Sequence, residues 1–366
     1  MNTVAARRDA DLPLLSMATS TPTCLWNDSA TPSELCQAIG WGAVGATCNP
    51  VIALAALRSD MPRWRERIAD RAAAQPTASE SAIGWDMVRE LSTEAARLLE
   101  PAFAAHFGRN GRLSIQTDPR LYRDRQAIVD QAVEFSALSP NIIVKIPAIP
   151  VGIAAIEDVT YRGISINATV SFTLGQALAV GDAVERGLRR READGLDVAA
   201  MGPVCTLMVG RLDDWLKRVV ERESLTLDPG YLEWAGVAVF KKAYALYRQR
   251  GFRTRLLSAA FRNHMHWSEL VGGDVVISPP FSWQVRLNKS GIKPVPRMDE
   301  PVNPGIVAAL YGRLADFRRA YDEDGLPAAE FLGFGATRHT LRQFLSATDD
   351  LECLVRDVLL PDPDRE

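Results

Sequence analysis

A lysine interrupts an apolar, β-rich run of the chain, NIIVKIPAI, at position 145. Burying an ammonium group carries a large desolvation cost, and burial therefore lowers the pKa of a lysine. A neutral amine at neutral pH is a nucleophile that forms Schiff bases with carbonyl compounds. The alternative is a structural lysine, whose stem lines the core while its head reaches solvent or pairs with Asp28.

Polar side chains stand at the ends of the other short apolar runs. They include carboxylates, amides, hydroxyls and arginines, namely Asn27, Asp28, Thr47, Asn49, Gln116, Thr117, Asp118, Asn167, Thr169, Thr206, Arg211, Arg262 and Asn263. A functional role for Lys145 is favoured if the fold brings this ring of polar groups around it.

The elements that must position these residues follow a regular alternation. Eight short runs have the length and composition of buried strands, and they occupy residues 23–28, 43–48, 112–117, 142–147, 163–168, 203–208, 253–259 and 274–279. Longer helical segments rich in Ala, Leu and Arg separate them, which indicates a parallel sheet with right-handed crossovers. Eight such units favour a closed (β/α)8 TIM barrel over an open sheet, with chemistry at the carboxyl ends of the strands.

Three segments are predicted along the chain. Residues 1–20 are expected to form a flexible N-terminal arm, and residues 21–285 the barrel, with two or three extra helices between positions 50 and 110. Residues 286–366 are predicted to be a Pro-rich linker followed by a C-terminal extension of two amphipathic helices. These helices either cover the barrel mouth or form a subunit contact.

Composition excludes several classes of protein. The chain has 366 residues, 47% of them hydrophobic, with 42 Lys and Arg against 45 Asp and Glu, for a formal net charge of -3. Such a chain is neither disordered nor an overall basic nucleic-acid binder, and it lacks a long apolar stretch. The N-terminus does not read as a signal peptide, so a cytoplasmic location is expected.

The cysteines and histidines do not indicate a metal or a cofactor. Five cysteines are scattered without a CxxC pair, which favours free thiols. His264 and His266 form an HxH pair, but no acidic or cysteine ligand stands at a useful spacing. A surface pair or a helix-packing pair is the expected role, and no cofactor is predicted.

Several segments in collinear order, over roughly residues 20–285, resemble the transaldolase family of class I, Schiff-base aldolases. They are LWNDSATPSELCQAIGWGAVGATCNP, GRLSIQTDPRLYRD, NIIVKIPAIPVGIAAIEDVTYRGISINATVSF, LMVGRLDDW and LLSAAFRNHMHWSELVGGDVVISPP. The resemblance implies a metal-free transferase of carbohydrate metabolism that acts on sugar phosphates, as in the pentose phosphate pathway.

The resemblance also implies roles for individual residues. Lys145 would form an iminium with a ketose phosphate, and Asp28 would take the C4 hydroxyl proton as the C3–C4 bond breaks. Thr169 would orient the water used in dehydration and hydrolysis, next to Gln116. Further residues would hold the substrate, with hydroxyl contacts at Asn49, Thr47, Asn167 and Thr206 and phosphate contacts at Arg211 and Arg262.

Plainer roles stay open for several of these residues. Arg211 could pair with Asp213 or Asp214, and Arg262 could be a surface arginine at a helix start. Asn49 precedes a proline and could be an ordinary turn residue. Thr169 and Thr206 could be simple strand residues.

The chain departs from the family pattern at the group that handles water. Gln116 stands where transaldolases carry a glutamate on the third strand, and a glutamine has no carboxylate to take a proton. Fructose-6-phosphate aldolases of the same superfamily have this glutamine but pair it with a tyrosine, where this chain has Met208. Ala260 and Cys48 replace a common serine and threonine. Slow transaldolase activity or an unusual substrate is therefore expected.

Two carboxylates, Asp118 and Glu157, are weak candidates to substitute for the missing glutamate. The main alternative function is a lyase, either an aldolase that releases dihydroxyacetone or a specialised biosynthetic enzyme. A second is a weakly catalytic barrel that binds a sugar phosphate or a protein partner. The run GLRRRE at 187–192 is the only hint of nucleic-acid binding, and a solvated helix face explains it better. The expected partners are sugar phosphates, without nucleic acid or membrane, and a homodimer is possible.

Overall fold

Eight parallel strands close into a barrel in the computed structural model, which describes residues 12–365. Each strand pairs with its neighbours in chain order, and β1 closes the barrel against β8. The strands are β1 Cys24–Asn27, β2 Ala43–Cys48, β3 Arg112–Gln116, β4 Ile142–Pro147, β5 Ile166–Ser171, β6 Val204–Leu207, β7 Arg255–Ala259 and β8 Val276–Ser278. The predicted (β/α)8 fold is confirmed.

Helices follow the strands and pack around the barrel. They are α1 Pro13–Ser20, α2 Pro32–Gly40, α3 Pro50–Ser59, α4 Met61–Ala74, α5 Glu80–Ala105, α6 Arg125–Ser136, α7 Pro150–Tyr161, α8 Leu174–Ala193, α9 Val209–Arg222, α10 Pro229–Leu232, α11 Ala235–Arg250, α12 Met265–Ser268 and α13 Phe281–Ser290. Several of these helices have start signals in the local sequence. Thr173 caps α8 by accepting from the Gln176 N–H, and proline occupies the first turn of α3 and α7. The interval between β2 and β3 holds three helices, as predicted.

The C-terminal extension forms three further helices, α14 Pro304–Arg313, α15 Ala315–Tyr321 and α16 Gly335–Leu359. The first predicted helix is divided at Leu314, whose extended backbone ends α14 and begins α15. The last helix, α16, packs against α3, α4, α5 and α9 and reaches the carboxyl end of β5. The structure therefore places α16 at the barrel mouth, with Leu341, Phe344 and Leu351 on its buried face.

Several boundaries differ from the sequence-based prediction, and two of the differences have a clear local cause. The expected loose arm is wrong for residues 13–20, which form α1 with Leu14 and Met17 fully buried. Residues 1–11 lie outside the described part of the chain. Strand β5 begins at Ile166 and not at 163, because Gly163 has φ +85° and turns the chain after α7.

The barrel interior is closed by an apolar cluster below the strand ends. Trp26, Ile143, Val204, Leu257, Ala259 and Val276 form this cluster, called here the barrel plug. Gly45 lies against it, since a Cβ atom there would stand 2.4 Å from the Trp26 ring. Side chains alternate along a strand, so Lys145 points inward two residues above Ile143. The plug is the floor of the space around Lys145.

Candidate active site

Lys145 lies near the carboxyl end of β4 and is only 3% exposed. Its register neighbours are Gln116 on β3 and Asn167 on β5. Burial lowers the pKa of the Lys145 amine, the charge of Asp28 partly opposes this effect, and the charge of Arg211 adds to it. The amine therefore gains the neutral, nucleophilic form at a lower pH than an ordinary lysine does.

Asp28 follows β1 directly and is half-buried. The Thr47 hydroxyl, from β2, donates to Asp28 Oδ1 at 2.5 Å. A charge-assisted bond of this length fixes the carboxylate. Sequence reasoning gave Thr47 to the substrate, whereas in the structure its hydroxyl is used to hold Asp28.

A buried chain of three polar side chains lies beside Lys145. Thr206 Oγ1 donates to Asn167 Oδ1 at 2.7 Å, and Asn167 Nδ2 donates to Ser114 Oγ at 3.0 Å. The two bonds fix which way the Asn167 amide faces. Ser114 was missed by sequence reasoning, although it lies two residues before Gln116 on β3 and so points to the same side.

Gln116 and Thr169 are buried, and their polar atoms bond no other protein group among the described residues. These atoms are Gln116 Oε1 and Nε2 and Thr169 Oγ1. Most buried polar groups are hydrogen-bonded, so orphaned ones at a barrel mouth mark where water or substrate binds. A cavity of about 10 Å³ lies between Gln116, Trp85 and Thr348, close to the ~10 Å³ that one water needs.

Arg211, in the first turn of α9, is held by the C-terminal helix α16. Its Nη1 donates to Gln343 Oε1 at 2.5 Å and to Thr340 Oγ1 at 3.3 Å, while its Nε has no protein partner. The guanidinium carbon lies 5.6 Å from the centre of the Phe344 ring. Burial and the charge of Arg262 lower the pKa of Arg211, so the two guanidinium groups lie in each other's field.

Arg262 follows β7, and its side chain is 38% exposed. Its Nε donates to Asp214 Oδ2 at 2.8 Å, and its Nη1 donates to the carbonyl of Phe261 at 3.0 Å. The pairing of Arg211 with Asp213 or Asp214, left open by the sequence, is not found in the described chain. Asp214 pairs with Arg262, and Asp213 bonds His266 at 2.8 Å.

Other predicted groups lie at the edge of the site or away from it. Asn49 Oδ1 accepts from the Ile52 N–H and caps α3, so one end of its amide has a structural role. Asp118 is held by Arg120, and Glu157 pairs with Arg186 and Arg190 on the surface. Neither carboxylate is placed to substitute for the missing glutamate.

A wider cavity lies at the opposite end of the barrel. It measures about 620 Å³ and is lined by residues that include Arg253, Arg255, Tyr244 and Asp274. Size alone would favour it, but its lining holds no lysine or histidine, and its one carboxylate, Asp274, is paired with Arg109. The chemistry therefore points to the Lys145 end, where TIM barrels carry their active sites.

A family profile described as "Transaldolase/Fructose-6-phosphate aldolase" matches residues 25–303, which is most of the chain. The chain belongs to this family. It is similar to "Transaldolase" of Thiobacillus denitrificans, at 30% identity over 76% of this chain and 81% of that protein. It is also similar to "Transaldolase 1" of Streptomyces avermitilis and of Streptomyces coelicolor, at 34% and 35% identity over 56% and 60% of this chain. The chain spans 54% and 58% of the length of those two curated relatives.

The departures of this transaldolase-family chain have visible structural consequences. Cys48 packs away from the barrel axis near Ser92, and burial raises the pKa of its thiol to about 11, so it is an unreactive thiol. Met208 is buried at the end of β6 and offers no hydroxyl to Gln116. Ala260 has φ +63° in the turn after β7, where it shapes the backbone that precedes Arg262.

Two groups of site residues could not be found from local sequence. Thr340 and Gln343 lie about 130 positions after Arg211 and show only as polar positions on an amphipathic helix. The Asp213–His266 pair has a weak signal, the HxH motif, which suggested packing and not a link between two loops. Among residues 12–365 there is no group of three or more His, Cys, Asp or Glu side chains placed to hold a metal, and no helix is long and apolar enough to cross a membrane.

Proposed function

We propose that the chain transfers a dihydroxyacetone unit from a ketose phosphate to an aldose through a Schiff base on Lys145. The observation that carries the proposal is a buried lysine of lowered pKa, set between Gln116 and Asn167 and within the electrostatic field of the Asp28 carboxylate. Membership in a family of transaldolases and aldolases supports the same chemistry.

The reaction begins when neutral Lys145 Nζ attacks the C2 carbonyl of the ketose phosphate. The carbinolamine loses water and becomes an iminium. Asp28 then takes the C4 hydroxyl proton, the C3–C4 bond breaks, and its electron pair moves through C2 onto the iminium nitrogen. An aldose phosphate leaves, and a three-carbon enamine stays on Lys145.

The second half reverses these steps with another aldose. The enamine carbon attacks the aldehyde carbon of the acceptor, and Asp28 returns its proton to the new C4 oxygen. Water hydrolyses the iminium and frees the new ketose. Gln116 and Thr169 supply the unpartnered polar atoms that hold this water, so the glutamine positions water without taking its proton.

Substrate positioning falls to the groups around Lys145. Asn167, already oriented by Thr206 and Ser114, would contact the hydroxyls of the three-carbon unit, together with Asn49. Thr47 acts through Asp28. Arg211 and Arg262 would bind the phosphate, because the guanidinium fork matches phosphate oxygens.

Borohydride trapping tests the proposal. The protein is incubated with fructose 6-phosphate, sedoheptulose 7-phosphate or dihydroxyacetone, reduced, and analysed by intact mass and peptide mapping. The expected product is one reduced three-carbon unit on Lys145, absent from Lys145→Met and retained in the control Lys242→Met, whose lysine lies over Tyr321 outside the site. No adduct on the wild type with any ketose would overturn the proposal and favour a barrel that only binds sugar phosphates.

A lyase is the second candidate, and Gln116 is the observation that favours it. An aldolase would release free dihydroxyacetone from the donor without an acceptor. Product analysis with fructose 6-phosphate alone, and then with an added aldose phosphate, separates the two activities. The transferase is expected to turn over many times only when the acceptor is present. A cytoplasmic location and a homodimer stay predictions.

A further inference from the structure

A buried acid–imidazole pair lies behind the two arginines. Asp213 on α9 and His266 on α12 are both fully buried, and His266 Nε2 lies 2.8 Å from Asp213 Oδ2. The other ring nitrogen, Nδ1, accepts from the backbone N–H of Arg262 at 3.1 Å. Asp213 Oδ1 accepts from the Gly236 N–H at 2.8 Å. These contacts place the ring proton on Nε2, where it is donated to Asp213.

The pair joins the two segments that carry the arginines, which are helix α9 and the loop after β7. Asp213 lies two residues after Arg211 in α9, so their positions are linked by the helix backbone. His266 reaches the other loop by bonding the main chain of Arg262 itself. Among the described residues, a second side-chain bridge between these segments is the Asp214–Arg262 pair, which is more than a third exposed on both sides, whereas the Asp213–His266 pair is fully buried.

Close packing shows that this junction tolerates little movement. A Cβ atom on Gly210 would stand 2.0 Å from the Ala260 carbonyl oxygen and 3.1 Å from His266 Cε1. Ala260 itself adopts a left-handed φ of +63°, which a non-glycine residue holds only where its surroundings enforce it. The backbone that leads into Arg262 is therefore held in an unfavourable conformation by its contacts.

We propose that Asp213 and His266 are positioning residues that set the spacing of Arg211 and Arg262 and thereby the preference for phosphorylated over unphosphorylated substrates. This inference rests on the proposed function for its substrates. Neither residue acts on the reacting atoms. A bidentate grip on one phosphate needs both guanidinium groups at a fixed separation, and a small displacement of either one loses it.

The test compares Asp213→Asn and His266→Gln with the control His264→Gln, which changes the exposed histidine of the same HxH motif. Isothermal titration with inorganic phosphate measures the subsite without any turnover. Phosphate affinity is expected to fall about tenfold or more in the two pair variants and to stay within about twofold in the control. The same preparations are checked for folding by circular dichroism and thermal unfolding.

Kinetics give the second readout. The KM for phosphorylated donor and acceptor is expected to rise about 10- to 100-fold, with kcat little changed. Trapping of dihydroxyacetone on Lys145 should proceed at the wild-type rate, because that ketone has no phosphate. Equal losses for phosphorylated and unphosphorylated substrates, or an unchanged phosphate affinity in a folded variant, would overturn the inference.

The inference and the proposed function can be tested separately. A wild type that binds phosphate but traps no ketone defeats the proposed function, while the phosphate titration still decides the role of the pair. If a variant fails to fold, the wild-type protein is studied in its place, and the ring N–H proton of His266 is followed by NMR. That signal is expected to shift on saturation with phosphate, and a signal that does not move would contradict the link to Arg262.

Discussion

Removing the partners of Arg211 on helix α16 is expected to weaken the binding of phosphorylated substrates. The variants are Gln343→Ala, which deletes one acceptor, and Thr340→Val, which deletes the other and keeps the volume of this buried side chain. Arg342→Ala changes an exposed residue of the same helix and serves as the control. Substrate phosphate is expected to meet a less well-oriented guanidinium in both variants.

The contacts set the size of the effect. A hydrogen bond to a charged group contributes about 1.5–3 kcal/mol when it is well formed. Gln343 is exposed, and the Thr340 bond is long at 3.3 Å, so each loss is placed at or just below the lower end of that range, at about 1–1.5 kcal/mol. That energy corresponds to a rise of about five- to tenfold in the KM for a phosphorylated substrate.

A second effect should appear in the pH profile. The positive charge of Arg211 contributes to the lowered pKa of Lys145. A guanidinium that moves away from the site disfavours the Lys145 ammonium less, so the pKa of the amine rises. The acid limb of kcat/KM against pH is therefore expected to move to higher pH in Gln343→Ala and to stay in place in the control.

Steady-state kinetics with fructose 6-phosphate and dihydroxyacetone as donors, from pH 5 to pH 9, measure both effects. KM should rise for the phosphorylated donor and stay constant for the unphosphorylated one. Folded Gln343→Ala and Thr340→Val proteins with wild-type KM values and an unmoved acid limb would refute the reasoning that α16 orients Arg211.

Three other changes have defined outcomes. Lys145→Met should unfold at a higher temperature than the wild type at pH 7, and this difference in unfolding temperature should narrow towards pH 10. The reason is that raising the pH deprotonates the lysine in the unfolded chain and removes the cost of burying it as a neutral amine. An equal difference at both pH values would contradict a lowered pKa. Gln116→Glu should speed multiple-turnover transfer at least tenfold, within the ~10²–10⁴ of acid–base catalysis, and a slower, folded variant would argue against a water-handling role. Gly45→Ala should lower stability by about 1–3 kcal/mol or more, since its Cβ would overlap the Trp26 ring, and an unchanged denaturation midpoint would contradict the packing of the barrel plug.

The barrel could be predicted because its information is local. Each strand is a short apolar run and each helix a longer segment with its own start signals, so chain order alone gives the topology. Local signals failed at boundaries. Gly163 lies inside a run predicted as strand, yet its left-handed φ turns the chain and delays β5 by three residues. Pro13 begins a helix that the mixed polarity of the first 20 residues conceals.

The centre of the candidate site could also be predicted, because a lysine within an apolar strand is unusual and can be recognised from that one segment. The contacts around it were harder to predict. Asn49 is shared with helix capping, and Thr47 serves Asp28, because hydroxyl and amide groups bond whichever partner the fold brings nearest. The bond between Arg211 and Gln343 joins residues 132 positions apart, and no single-chain pattern encodes such a contact.

Because the barrel plug closes one end of the barrel, the proposed reaction has a single opening to solvent. With the floor closed by Trp26 and its neighbours, the aldose released in the first half-reaction has to leave by the same opening through which the acceptor enters. A ping-pong cycle follows, in which donor and acceptor compete for the same opening and the same site. Excess acceptor is then expected to inhibit by entering the unmodified enzyme, and double-reciprocal plots at low concentrations should give parallel lines.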